Sequence, residues 1–295
     1  MSRGAFWWLG IGLLMGTVVG CGNTITYTST TSGTGGTGGI GGIGGDGLGG
    51  AVGGTGGTGG GSVPSTCPNS TDGATALVEV PTLAGTAECI EATEVTRGQY
   101  ETWLNEGGVP SGLPVACGFN TAYEPVADWP PGGVGLDRPV THVDWCDALA
   151  YCLDKNRRLC GRIGGGSLSA DAANDASESE WFNACTHRGE RLFPYGQSYE
   201  PTACNGTHQG LNGTADVASL LGCVDTTGEV FDLSGNVWEW EDNCTADAGP
   251  DDDCRIRGGA YNNGEANLAC SANASAKRSG SATNIGFRCC ADPLK

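Results

Sequence analysis

Gly228-Glu-Val-Phe-Asp-Leu-Ser-Gly-Asn-Val-Trp-Glu-Trp-Glu241 sets acids, glycines and two tryptophans at spacings that look like a structural cation loop rather than a plain helix or strand. Asp232, Gly235, Val237 and Glu239 stand at i, i+3, i+5 and i+7, so two carboxylates and two main-chain carbonyls converge on one hard cation, which takes oxygen ligands. Calcium is the ion expected there. Trp238 and Trp240 alternate with Val237 and Glu239, and that period of two predicts a short strand whose indoles enter a core. The same stretch also reads, without an ion, as a turn followed by a buried edge strand.

Outward from this stretch, 295 residues with 53 Gly and 16% charged residues suffice for one large domain plus a non-globular segment. A net charge of −18 argues against nucleic acid or an anionic lipid surface as partner. Residues 1–20 carry Arg3, an apolar run from Ala5 to Val19 and small residues before Cys21, the order of a secretory signal, and the run is short for a membrane span. Val18-Val-Gly-Cys21 looks like a bacterial lipobox, which predicts lipid on Cys21 and a chain anchored to the membrane rather than spanning it. Residues 21–66 are rich in Gly, Thr and Ser and predict a flexible tether, roughly 35 Å long on average for forty residues. The globular domain is then 67–295.

Ser234-Gly-Asn-Val-Trp-Glu-Trp240, Arg257-Gly-Gly-Ala260 and Asn284-Ile-Gly-Phe-Arg-Cys289 resemble the blocks of the sulfatase-modifying-factor family, that of the formylglycine-generating enzyme. Glu91-Ala-Thr-Glu-Val-Thr-Arg-Gly-Gln-Tyr100, Pro139-Val-Thr-His-Val-Asp-Trp145 and Leu192-Phe-Pro-Tyr-Gly196 stand in that family's order, and the likeness covers roughly residues 75–292. The resemblance implies an α+β fold similar to an elaborated C-type lectin, disulfide-rich and low in regular secondary structure. It also implies a second cation site near Asn205-Gly206 with Asp216, because the family places a ligand Asn after its Phe-Pro-Trp-Gly block.

Fifteen cysteines, less Cys21, leave fourteen, and an even count in an exported chain reads as disulfides. The resemblance pairs Cys152 with Cys289 and Cys185 with Cys270. Short separations suggest Cys204 with Cys223, Cys244 with Cys254 and Cys67 with Cys89. Sequence leaves the pairing of Cys117, Cys146, Cys160 and Cys290 open. Zinc is the rival use of so many cysteines, but no Cys-x-x-Cys pair occurs.

Thr96 caps a predicted helix carrying Tyr100, Trp103 and Leu104 on one face. A loop rich in Pro and Gly runs from Gly107 to Arg138. Asp144 or Thr141 opens a second helix whose buried side is Trp145, Leu149, Tyr151 and Cys152. Residues 164–176 read as a polar insertion, 178–185 as a short amphipathic helix, and the rest as turns and short strands. Asp251-Asp-Asp253 reads as a solvated turn, while Arg257 and Arg288 are expected to pair with buried acids.

The family's enzymes oxidise a substrate cysteine with two active-site cysteines after the Arg-Gly-Gly turn, a segment reading Gly258-Gly-Ala-Tyr-Asn-Asn-Gly-Glu-Ala-Asn-Leu-Ala-Cys270 here. Neither cysteine is present. Asn263 stands about where the first would be, Cys270 matches a downstream structural position, and a thiolate has no substitute in asparagine. Copper is therefore not expected. His142, His187 and His208 share no metal-ligand spacing, and no Gly-x-Ser-x-Gly, HExxH or phosphate loop occurs. Asp232 with Glu239 as a glycosidase pair conflicts with a cation role that needs both ionised. The reading is an exported, lipid-anchored cell-envelope protein that binds a ligand or protein without catalysis. Its rivals are an oxidoreductase forming formylglycine on secreted sulfatases and a purely structural envelope component.

Overall fold

Two capped helices and a buried strand organise the domain. In the computed structural model, which describes residues 66–70, 73–108 and 112–295, helix α1 spans Arg97–Asn105. Its cap Thr96 accepts from the Gln99 amide at 3.2 Å while the Gln99 side chain accepts from the Thr96 amide at 2.9 Å, a reciprocal box that satisfies two otherwise orphaned donors. Helix α2, Trp145–Asp154, repeats the device with Asp144 and Asp147. The expected signal segment, Cys21 and the tether up to residue 65 lie outside the described residues.

α2 departs from the expected one-sided helix, since every residue from Trp145 to Cys152 is buried. The reason lies in the loop after α1, which folds back as a lid. Cys117 bonds Cys146, Asn120 donates to Asp147 Oδ1 at 2.7 Å, and the Tyr123 carbonyl accepts from the Tyr100 hydroxyl at 2.8 Å. Tyr100, Trp103, Tyr151 and Phe287 meet beneath it with ring centroids 5.0–6.2 Å apart, mostly edge to face.

Two four-stranded sheets flank this core. The first has the order β1 (Leu77–Pro81), β2 (Ala87–Glu91), β8 (Cys289–Ala291), β3 (Arg158–Leu159), all antiparallel. The second has the order β6 (Ala274–Lys277), β5 (Asp253–Arg257), β4 (Trp238–Cys244), β7 (Ile285–Gly286), with β4 and β7 parallel. The other α-helices among the described residues are α3, Glu180–Thr186, capped by Ser179, and the single turn α4, Glu265–Leu268.

β4 realises the predicted strand with one difference: both of its faces are buried from Trp238 to Glu241. The indoles are anchored at their polar ends, Trp240 to the Val143 carbonyl at 3.1 Å, and Trp145 of α2 reciprocates onto the Glu241 carbonyl at 2.9 Å. Burying Glu239 and Glu241 opposite the indoles demands partners for both carboxylates. Ser179 and Arg255 approach Glu241 at 3.1 and 3.9 Å.

Seven disulfides join all fourteen cysteines of the domain. They are Cys67–Cys89, Cys117–Cys146, Cys152–Cys289, Cys160–Cys290, Cys185–Cys270, Cys204–Cys223 and Cys244–Cys254. Adjacent Cys289 and Cys290 alternate across β8, so one reaches α2 and the other the end of β3.

Two expectations need correction. Asp252 is a buried anchor rather than a solvated residue: it accepts from the Ala248 and Gly249 amides and from Arg278. Arg257 makes no hydrogen bond to a carboxylate among the described residues, and buried Glu241 acts on it only through space. Asn174, Asn273 and the Ala173 carbonyl hold its guanidinium, which lies 4.9 Å from the Trp181 ring centroid. The segment 164–176, read as a polar insertion, thus supplies Arg257 with acceptors.

Candidate functional site

The turn after β5 and the loop before β4 form one surface around glycines that no other residue can replace. Gly235 has φ +82°, and a Cβ there would lie 2.4 Å from the Asn205 carbonyl oxygen. That contact seats the Asn236 amide on the Asn205 carbonyl at 2.8 Å. Gly259 has φ +77°, and a Cβ would meet the Asn267 carbonyl at 2.5 Å, which closes the loop 258–270 on itself.

Within that loop Asn263 is a turn former. Its Oδ1 accepts from the Ala260 amide at 3.0 Å, its amide donates to the Ala260 carbonyl, and its carbonyl accepts from the Thr207 amide. Leu268, the last residue of α4, is buried, and Cys270 is bonded to Cys185. Beside the loop runs an open groove of about 660 Å³ lined by Phe193, Gln197, Tyr199, Glu265 and Ala269, among others. Phe193 stacks on Tyr195, and Tyr199 shares a 3.0 Å hydrogen bond with His208. The three histidines serve separate turns: His187 bonds Thr226, and His142 lies 3.5 Å from Asp128.

Below the surface, the four residues read as a cation loop are all buried, and the structure gives Glu239 a different partner. Arg288 donates from Nε and Nη2 to its two carboxylate oxygens at 2.7 Å each, and Trp181 Nε1 donates to Oε2 at 2.8 Å. A carboxylate so engaged has little left for a metal ion, and a guanidinium beside it repels one. Asp232 accepts from the Ala218 amide at 2.6 Å. Among the described residues no group of three His, Cys, Asp or Glu is arranged to hold a metal. The second expected set is divided. Asn205 is buried, its Nδ2 donating to the Gly213 carbonyl and to Asn236 Oδ1, whereas Asp216 is exposed with its carboxylate 3.8 Å from Arg138.

One participant escaped the sequence reading. Glu94 is fully buried, with Oε1 accepting from Asn236 Nδ2 at 3.0 Å and Oε2 without a partner. Asn205 Oδ1 is likewise unpaired. Glu94, Asp232 and Glu239 thus share a buried region with the guanidinium of Arg288. Burial first, then the charge of Asp232, holds Glu94 well above the usual carboxylate range, and burial pushes Asp232 up to about 6. The signal for Glu94 was its place in the Glu91-Ala-Thr-Glu94 block, but only the fold carries it to Asn236.

A family model described as the sulfatase-modifying factor enzyme 1-like domain matches residues 71–293. The formylglycine-generating enzyme of Bos taurus is 29% identical over 189 residues, 54% of this chain and 45% of that protein. The inactive C-alpha-formylglycine-generating enzyme 2 of Mus musculus is 30% identical over 145 residues, 43% of this chain and 41% of that protein. The chain therefore spans less than half the length of either relative. In three dimensions it is similar to PvdO from Pseudomonas aeruginosa, with TM-score 0.53 and 18% identity, covering 79% of this chain and 100% of that one. At such identity the likeness concerns the fold.

Proposed function

The chain belongs to the sulfatase-modifying factor enzyme 1-like family, and from that membership we propose that its domain is a recognition module without the family's oxidation chemistry. The observation behind this reading is that every cysteine from Cys67 to Cys290 is held in a disulfide. A copper site built on two thiolates needs sulfur that is free and deprotonated. The loop 258–269 offers none, and Asn263 spends its side chain closing a turn. The relatives include one named as inactive beside one named as the enzyme, so the family name alone does not carry the activity.

The test is direct: the disulfide-intact domain, supplied with copper and a cysteine-containing sulfatase peptide, is expected to leave the peptide mass unchanged. Turnover that disappears in Cys270→Ser or Cys290→Ser would overturn the reading and restore the oxidoreductase alternative.

Seven disulfides belong to an oxidising compartment, so the domain is an exported one. The lipobox-like Val18-Val-Gly-Cys21 supports a lipid anchor at the cell envelope, with a ligand or protein there as partner. Cys21→Ser is expected to move the protein from the membrane pellet to the soluble fraction. Retention in the pellet would exclude the anchor.

We also infer a structural calcium ion at the loop before β4, held by Asp232 and the main chain of Gly235 and Val237, with Glu239 left to Arg288. The support is charge. Three buried carboxylates against one guanidinium leave an excess that burial penalises, and a cation relieves it. At a hundredfold excess over Kd such an ion contributes about 2.7 kcal/mol. Chelator should therefore lower the melting temperature by roughly 5–10 °C, and Asp232→Asn should abolish that response. A melt indifferent to chelator would assign the excess charge to bound protons.

A further inference from the structure

We propose that Glu88 on β2 and Asn183 on α3 form a neutral acid–amide pair, closed by a proton that Glu88 keeps where other glutamates have lost theirs. The pair is a pH-sensitive clasp: its hold on α3 weakens as pH rises. Neither residue belongs to the loop 258–270 or to the buried set around Arg288, so the proposal stands however those are read.

Two planar groups meet here with one bond made and one missing. Glu88 is 1% exposed and Asn183 is fully buried. Asn183 Nδ2 donates to Glu88 Oε1 at 2.8 Å and to the Pro81 carbonyl at 3.2 Å, which uses both of its hydrogens. Glu88 Oε2 and Asn183 Oδ1 are both buried without a partner. While the carboxylate is ionised both atoms are acceptors, so neither satisfies the other and each bears its desolvation cost. A proton on Oε2 makes them donor and acceptor and closes a ring of two hydrogen bonds. Turning the Asn183 amide over is no remedy, because its oxygen would then face Glu88 Oε1 and the Pro81 carbonyl, two further acceptors.

The surrounding charges agree with the geometry. Arg158 of β3, whose charge Glu88 feels, is engaged by Glu180 and Asp292. From α3 the charge facing Glu88 is Glu180, like in sign, and from β1 the residue opposite it in register is Val80. Burial first, then Glu180, holds the Glu88 carboxyl well above the usual carboxylate range, while Asn183 and Arg158 pull the other way. The unfolded chain releases this proton at the ordinary glutamate value of about 4.3. The contribution to stability is therefore whole below that pH and is lost as pH rises toward the native value, the folding constant falling about tenfold per pH unit in between. α3 also carries Trp181, which donates to Glu239, and Cys185, bonded to Cys270, so a loosened α3 is felt at both.

The test compares the full-length, disulfide-intact protein with Glu88→Gln, whose amide makes both bonds of the ring and has no proton to lose to base. Denaturant titrations at a series of pH values above about 5 give the ratio of the two folding constants, in which groups distant from Glu88 cancel. The ratio of wild type to variant is expected to fall about tenfold per pH unit and to level off where the native carboxyl ionises. The infrared band of protonated carboxylic acid, measured in the same pH range, should be weaker in the variant. A ratio that stays flat with pH would overturn the proposal, because the native state then binds no extra proton at Glu88. A Glu88→Gln chain that does not fold would overturn it equally, since an amide that completes the ring must be accepted there.

Discussion

Replacing Arg288 by alanine is expected to lower the melting temperature of the domain by roughly 6–20 °C. Arg288 is 1% exposed and meets both oxygens of Glu239, and it also donates to the Glu91 carbonyl at 3.0 Å and the Phe231 carbonyl at 2.8 Å. Breaking a buried pair by removing one member strands the other charge and costs about 3–5 kcal/mol. Here the stranded carboxylate would join Glu94 and Asp232, which feel the same guanidinium. That is a large share of the roughly 5–15 kcal/mol that keeps a domain folded. Changing Glu239 to glutamine in the same chain should restore part of the loss, since the orphaned charge disappears and an acceptor for Trp181 remains. A single variant that melts within 2 °C of the parent, a shift of less than about 1 kcal/mol, would show that the pair carries little of the stability.

The second large effect is non-additive. Cys152–Cys289 and Cys160–Cys290 span 137 and 130 residues, but both enclose Cys185–Cys270, so each alone would close a ring of about 50 residues, worth about 4 kcal/mol of unfolded-chain entropy. Together they are redundant, because with one intact the other closes a ring of only about ten residues, worth about 3 kcal/mol. Removing either pair by alanine substitution should therefore cost about 3 kcal/mol, and removing the second should cost clearly more than the first. Equal decrements in denaturant midpoint for the two steps would sink this account, which assigns the stabilisation to the unfolded chain.

Local rules made part of this molecule legible. The caps at Thr96 and Asp144 depend on residues three apart, and the alternation of indoles depends on residues two apart, so both are written in neighbouring letters. What escaped depends on distant partners. Arg288 meets a buried acid as expected, but that the acid is Glu239, 49 residues away, was not legible. Likewise Asn120 meets Asp147 across 27, and Arg257 finds acceptors 83 residues away in a segment that reads as a surface insertion. The pairing of Cys117 with Cys146 and Cys160 with Cys290 is of the same kind, since it follows from which strands lie together and no spacing rule encodes it. The family resemblance supplied the two bridges Cys152–Cys289 and Cys185–Cys270 that composition could not. At the candidate site, Asp232 and Gly235 were visible by spacing, whereas Glu94 acquires its role only when β2 and the loop after it are laid against Asn236.

The burial of β4 on both faces has a consequence for how this protein tolerates change. A strand walled on each side leaves no position from Trp238 to Glu241 where substitution is free, so variation is pushed outward to segments that cross the surface. The stretch 197–222 fits that role: much of it is exposed, and Cys204–Cys223 pins its base. Its exposed positions, such as Ser198, Thr207 and Leu211, can change without reaching the strand, whereas buried Asn205, on which Gly235 and Asn236 are seated, cannot.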